Sequence, residues 1–493
     1  MHDRALQGIV KAALEPEWEA HFEPNSYGFR PGRACHDAIK QIKNAIQAKA
    51  KYVLDADIAK CFDRINHASL LQKLNMRGKI RQQIKSWLKS GVIDQKVFTA
   101  IFEGTPQGGV ISPLLANIAL HGIEQMLMEY ARTLDVRRKD QPNSQVSWQV
   151  KVKQLTFVRY ADDFVVIHHD LKVIQKCREL ISEWLKDIGL ELKPSKTRIA
   201  HTLYSEKSED GTAGFNFLGY NIRQYPAGKY ASPRNGNKDI LGFKTLIIPS
   251  KESRRKHQES IKNTIKKPKN SAQAKLIMEL NPIIRGWCNY FQFSDAQTTH
   301  ILSNQDNLIY QKLRAWGRYR CGNLKDARKK YYTKIGNRNW IFATREGNAN
   351  PLRLLFHTSF GSSSTEYVKV NSDKNPYDGN LIYWSTRRGK HPEMPTSKAI
   401  RLNKQKGKCN WCGLHFREGD ILEEDHIIAT ALGGKNEIEN FQLLHGHCHD
   451  EKTAIDLDKI RKTKVSKFFE KLSREYNKLN YQWIDDIPVI INC

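Results

Sequence analysis

Residues 154–169 read QLTFVRYADDFVVIHH, two short apolar, β-branched runs with Asp162 and Asp163 side by side in the turn between them. That is the pattern of a β-hairpin. Two adjacent acids at such a turn are unfavourable unless something neutralises them. A divalent cation does so when a second acid-bearing strand end meets the first. The segment LDADIAKCFD offers Asp55, Asp57 and Asp63, at the end of a strand expected over Tyr52–Ile58. Side chains alternate along a strand, so Asp55 and Asp57 share a face and spacing does not choose between them. Carboxylates from two segments converging on two Mg²⁺ ions make a centre for phosphoryl transfer. The plainer reading is a structural cation site or an acidic surface turn.

Size and charge narrow the setting. The 493 residues are 40 % apolar, enough for two to four cores, which excludes a small stapled module and a disordered tail. With 80 Lys and Arg against 52 Asp and Glu, the formal charge of +28 argues for a polyanionic partner, nucleic acid before an ordinary basic enzyme's substrate. Six of the nine Cys are scattered; Cys409, Cys412 and Cys448 lie closer together and suggest a metal in a reducing compartment. The N-terminus carries no secretory or transit signature, and no apolar run reaches the ~20 residues of a membrane helix. The expected location is a bacterial cytoplasm or an organelle matrix, not secreted and with no membrane partner.

Leu6, Ile9, Val10 and Ala13 place the chain in a helix from its start. Further helices are expected from about Cys35 to Lys49, around His67–Met76 and Arg81–Lys89, and as one long helix after the glycine loop GTPQGG. A helix with a Gly stop at Gly189 follows the hairpin. Strand, helix and hairpin in this order suggest an α+β fold with a helix-backed sheet. From 251 to 270 there are eight Lys or Arg in twenty residues, and mostly helical, aromatic-interleaved patterns continue to about Tyr332. The tail from 459 reads as a basic amphipathic helix.

Taken together, these segments resemble the reverse transcriptases, or maturases, encoded by group II introns. The stretches NSYGFRPGRACHDA, VLDADIAKCFDRINH, GTPQGGVISPLLANI, FVRYADDFVV, GLELKPSKT and FNFLGY follow in the family's order. NPIIRGWCNYF (281–291) resembles the thumb segment that grips intron RNA. The resemblance implies a multidomain α+β protein: a right-hand polymerase palm with fingers, an α-helical thumb or maturase domain, and more beyond. It resolves the acids to Asp57 and Asp162 as Mg²⁺ ligands, with Asp163 beside them. It implies Phe62 under the incoming sugar, Gln107 on the nucleotide, Gly108 and Gly109 where backbone approaches it, and Lys196 near phosphate charge. Arg30 joins the nucleotide- and template-binding set. Their plainer alternatives are core packing for Phe62, a surface lysine for Lys196 and a salt bridge in the fold for Arg30. In this family a further stretch, with the triphosphate-gripping fingers block, precedes the point where Met1 falls. The implied polymerase is therefore incomplete at its front. A splicing-only maturase and a DNA endonuclease acting alone are the competing readings.

Near the other end, Cys409-x2-Cys412 and His445-x2-Cys448 stand 32 residues apart, two pairs suited to tetrahedral, structural Zn²⁺, with His447 a competitor for His445. The segment between and after them resembles the HNH nucleases, which build a ββα-metal unit. The resemblance implies His426 as general base, Asp425 and His449 holding one Mg²⁺, and Asn440 fixing the loop or the imidazole. A bare zinc knuckle is the plainer reading. The expected domains are fingers and palm over 1–242, thumb over 243–361, a basic DNA-binding linker over 362–406, the HNH unit over 407–456 and a basic helix over 457–493. Arg387, Arg388, Lys390, Lys398, Arg401, Lys404 and Lys406 would hold DNA through phosphates. The implied partners are group II intron RNA, target DNA and dNTPs. The implied function combines RNA-directed DNA polymerase, splicing maturase and HNH endonuclease.

Overall fold

The computed structural model describes residues 2–90, 92–94, 97–99, 103–105, 108–137, 144–235, 238–266, 272–336, 338–344, 351–361, 364–371, 374–380, 383–384, 387, 396–417, 419–476, 478, 481–484 and 487–490. The chain forms two compact units, 1–377 and 378–493.

In the first unit, β1 (Tyr52–Asp57), β2 (Thr156–Tyr160), β3 (Asp163–His168) and β4 (Arg198–His201) make an antiparallel sheet in the order β2-β3-β1-β4. Pleat alternation sends Leu54 and Ala56 of β1 and Phe164 and Val166 of β3 into one core with Ile118, Leu127, Ile174 and Ile181 of the covering helices. That leaves Asp55 and Asp57 on the other face. The first helix, His2–His21, buries Gln7, Val10 and Leu14. Ile9, expected on that face, is 68 % exposed. The helix expected as one piece after the glycine loop is two, Ser112–Leu120 and Ile123–Thr133. Gly122 separates them at φ +108°, and its N–H donates to Glu23 Oε1. A residue with a Cβ strains in that conformation.

A second sheet joins β5 (Phe215–Phe217), β6 (Tyr220–Pro226) and β7 (Phe243–Pro249). The helices Lys251–Lys266, Gln273–Tyr290 and Ile301–Cys321 then pack around Ile261, Leu276, Ile284, Leu313 and Trp316. In the first of these helices His257, Ile261 and Ile265 are buried at four-residue spacing, so its Lys and Arg are left on the outer face.

Residues 364–371 and 374–377, expected in the DNA-binding linker, belong to this first unit. Lys43 Nζ donates to Ser364 Oγ at 2.5 Å, Val370 N–H to Asp37 Oδ1 at 2.7 Å, and Arg33 Nη2 to the Lys374 carbonyl at 3.1 Å.

In the second unit, β8 (Leu422–His426) pairs antiparallel with β9 (Phe441–His445), and the helix Gly446–Tyr476 follows directly. Leu402, Phe416, Leu443 and Leu444 form its core. The helix runs through the boundary expected at 456, since it contains no Pro and no Gly after Gly446. Among the described residues no helix is long and apolar enough to cross a membrane.

Candidate functional sites

Register brings the acids together. Asp57 ends β1 opposite Asp163, which begins β3, while β2 and β3 pair Tyr160 with Asp163 across the two-residue turn Ala161–Asp162. Ala161 takes φ +58°, the sign that two-residue hairpin turns need at their first central position. The turn rests on a close backbone approach: a Cβ on Gly28 would stand 2.3 Å from Ala161 N. Asp57 is buried, and Asp162 and Asp163 are half-buried. Burial first, then Asp57 and Asp162, push Asp163 up to about 6. Burial and Asp57 raise Asp162 as well. Such a donor set fits hard divalent cations.

Asp55 and Asp57 differ in position along the strand. Asp55 lies two residues back, opposite Val165, and Arg198 Nε stands 3.5 Å from its Oδ2. Burial still pushes Asp55 up to about 7. Asp63 is exposed, in the short helix Cys61–Arg64.

Lys196 Nζ reaches Asp57 Oδ2 at 2.5 Å, with its side chain 56 % exposed. It sits at the acids and remains open to solvent. Phe62, in the short helix that follows β1, is half-buried, packs against the main core and meets Phe29 edge-on at 6.1 Å. Gly108 is exposed and Gly109 half-buried; Gln107 lies outside the described residues. Arg30 is corrected. It is 4 % exposed, and its guanidinium donates to Glu19 and to the carbonyls of Glu23 and Ser26. These bonds tie it into the fold, the plainer of the two readings of Arg30.

In the second unit, Cys409, Cys412, His445 and Cys448 bring their ligand atoms within 4.8 Å of one another. His445 Nδ1 faces Cys412 Sγ at 3.4 Å and Cys448 Sγ at 4.0 Å. The cluster includes His445, not His447, and three thiols with an imidazole suit Zn²⁺. His445 Nε2 also lies 3.5 Å from Asp420 Oδ2, a carboxylate able to orient the ring.

His426 ends β8, packed on Phe441 with ring centroids 4.3 Å apart, and its Nε2 meets Asn436 Oδ1 at 3.2 Å. Asn440 does the loop-fixing job. Its Oδ1 accepts from Ile428 N–H at 2.9 Å, and its Nδ2 donates to the carbonyls of Ile428 and Lys435. Asp425 is held by Gln442 Nε2 at 3.1 Å and Lys452 Nζ at 3.0 Å. His449 sits in the first turns of the following helix, half-buried.

Two of the cations expected on DNA are spent locally. Arg401 is 7 % exposed, bonded to Glu424 at 2.6 Å and stacked on Phe441, and Lys398 Nζ donates to the Leu422 carbonyl. Lys404 and Lys406 are exposed; Arg388 and Lys390 lie outside the described residues. Sequence reasoning missed Asn436, Gln442 and Lys452. Their partners are set by strand register and helix packing, and only Lys452, a cation on a helix that follows the metal pair, left any signal.

Comparison with known proteins agrees with this geometry. Residues 1–222 match the model for reverse transcriptase (RNA-dependent DNA polymerase), 254–335 that for the group II intron maturase-specific domain and 409–454 that for HNH endonuclease. The first match spans the acidic hairpin and the strand that ends at Asp57. With the other two in sequence, the chain carries the domain series of the group II intron-encoded reverse transcriptase–maturases with an HNH endonuclease. Similar curated proteins include the group II intron-encoded protein LtrA of Lactococcus lactis subsp. cremoris, 29 % identical over 59 % of this chain and 56 % of that protein. Another is protein YkfC of Escherichia coli (strain K12), 35 % identical over 45 % of this chain and 61 % of that one. The chain spans little more than half the length of these relatives. A solved telomerase from Candida albicans overlaps with TM-score 0.31 and 12 % identity, over 66 % of this chain and 52 % of that one, a likeness that bears on neither site.

Proposed function

We propose that the chain is a mobility protein of a group II intron, joining an RNA-directed DNA polymerase, an intron-RNA-binding maturase surface and an HNH DNA endonuclease. The meeting of Asp57, Asp162 and Asp163 at adjacent strand ends carries this reading. Asp57 and Asp162 are the proposed Mg²⁺ ligands, and the ions they hold would activate the primer 3′-hydroxyl and stabilise the leaving pyrophosphate. Lys196 would leave Asp57 for phosphate charge, which its exposed side chain allows. Gly108 and Gly109 would let a nucleotide approach the backbone, and Phe62 would pack beneath its sugar.

In the second unit His426 would take a proton from water attacking the scissile phosphate, with Asp425 and His449 as the ligands of one divalent ion. Asn440 would hold the loop that frames that step. Zn²⁺ on Cys409, Cys412, His445 and Cys448 would be structural. The outer face of the helix Lys251–Lys266 would meet intron RNA, and exposed Lys404 and Lys406 would contribute to DNA binding.

Primer extension on an RNA template tests the polymerase. The expected result is a Mg²⁺-dependent product that Asp162→Ala abolishes. No product from the unaltered chain, with RNA binding retained, would leave a splicing maturase instead.

A further inference from the structure

Under the acidic turn lies a charged residue with no place in the scheme above. Arg159 is in β2, 1 % exposed, in a strand buried over most of its length. A buried cation is costly and is retained for the bonds it makes. Here both hydrogen bonds come from Nη1: one to the Ala161 carbonyl at 3.2 Å, one to Asn117 Oδ1 at 3.0 Å. Buried Nη2 has no hydrogen-bond partner among the described residues. Asn117, 2 % exposed, in turn donates from Nδ2 to the Gly28 carbonyl at 2.8 Å. Gly28 is the residue pressed against Ala161 N, and the flanking backbone is tied by Tyr27 N–H to the Arg159 carbonyl at 2.9 Å and Arg159 N–H to the Asn25 carbonyl at 3.0 Å. The chain of contacts thus closes on the turn: Arg159 grips Ala161 from one side, and Asn117 steadies the Gly28 backbone on the other.

We propose that Arg159 and Asn117 are positioning residues for the polymerase reaction, holding Ala161 in its left-handed conformation so that Asp162 faces Asp57 across the metal-binding cleft. The inference rests on the polymerase reading. Groups that orient metal ligands in this way typically change metal affinity by roughly tenfold to a hundredfold when lost. The rival role is charge balance, since the carboxylates of Glu23 and Glu124 act on Arg159 through space. Charge balance requires only a cation. A grip on Ala161 and Asn117 together requires a nitrogen with two N–H donors held where Nη1 stands, at the end of the longer, planar guanidinium.

The test uses the full chain with Arg159→Lys, Asn117→Leu and, as the conservative control, Asn117→Asp, which keeps the acceptor for Arg159. In RNA-templated extension the Mg²⁺ midpoint should rise roughly tenfold in Arg159→Lys and Asn117→Leu, with the KM for dNTP little changed and a smaller rise in Asn117→Asp. A lowered melting temperature with an unmoved Mg²⁺ midpoint would overturn the proposal in favour of a packing role. A silent Arg159→Lys would overturn it in favour of charge balance. Backbone cleavage by Fe²⁺ substituted for Mg²⁺ gives a readout that does not need polymerase turnover. Cuts near residues 57 and 162 in the parent chain should fade in Arg159→Lys. If those cuts persist unchanged, the proposal fails whether or not the chain polymerises. If the parent chain shows the cuts and their loss in the variant but no extension, the polymerase reading fails and the positioning role stands.

Discussion

At Asp425 one carboxylate is shared by Gln442 and Lys452, and Lys452 is itself shared with Asp456 at 2.5 Å. All three charges are mostly buried, so removing the cation leaves two acids without a counter-charge, Asp425 keeping only the Gln442 hydrogen bond. Lys452→Met should therefore cost on the order of 3 kcal/mol in the second unit, read by chemical denaturation, and should abolish nicking. A variant as stable as the parent would show that Asp425 is held by Gln442 alone. Glu124 behaves differently. Burial pushes it up to about 7, against the hydrogen bonds from Asn25. A folded-state pKa above the ordinary 4.5 means the folded chain keeps a proton that the unfolded chain releases. Its stabilising share is full below that ordinary value and is lost as pH rises through about 7. Glu124→Gln should flatten the fall in melting temperature between those limits; an unchanged slope would remove Glu124 as its source. At this scale the sequence is legible where an acid stands at a strand end, as at Asp57, Asp162 and Asp163. It is poorly legible where burial decides. Arg30, Arg159, Lys398 and Arg401 all look like solvent or ligand contacts in a basic chain until packing shows what surrounds them.

The C-terminal half of the helix Gln273–Tyr290 carries the thumb segment expected to grip RNA, yet much of its last turn faces inward. Trp287 lies face to face with His257 at 4.6 Å, and Cys288 and Phe291 are buried. The Tyr290 carbonyl accepts from Tyr220 Oη of β6 and meets His36 Nε2 at 2.8 Å, while Tyr290 Oη donates to the Leu218 carbonyl at 3.0 Å. This turn joins the thumb helix, the β5–β6 hairpin and the helix Cys35–Ile46, leaving Arg285 outward. Tyr220→Phe removes one of those bonds and should cost about 1 kcal/mol. It should also shorten extension products in a single-encounter assay while the first addition stays fast. Products of parental length would mean the junction does not govern the thumb. Periodicity locates most helices here, because amphipathic spacing survives any tertiary arrangement. It does not find the break at Gly122 or the continuation past 456. The first depends on a left-handed residue anchored by the distant Glu23, and the second on the absence of a breaker in a polar stretch.

The whole chain divides at 377/378, and each unit has its own core and its own candidate metal chemistry. A Zn²⁺ ion on the Cys/His cluster would tie the loop at Cys409 and Cys412 to the β9 end and the following helix, so metal removal should unfold the second unit while the first keeps its transition. Calorimetry with and without a chelator checks this, and a chelator that leaves both transitions in place would contradict a structural metal. The order of domains is legible because motifs mark them, whereas the unit boundary is not. Residues 364–371 and 374–377 carry no pattern of their own and are placed by bonds to Lys43, Asp37 and Arg33. One chain is proposed to hold two independent sites for nucleic-acid chemistry. The proposal is tested most directly by assaying RNA-templated extension and DNA nicking on the same preparations of the parent, Asp162→Ala and His426→Ala chains. The account predicts that Asp162→Ala nicks but does not extend, and that His426→Ala extends a supplied primer but does not nick. Loss of both activities in either folded variant, or survival of both, would contradict it.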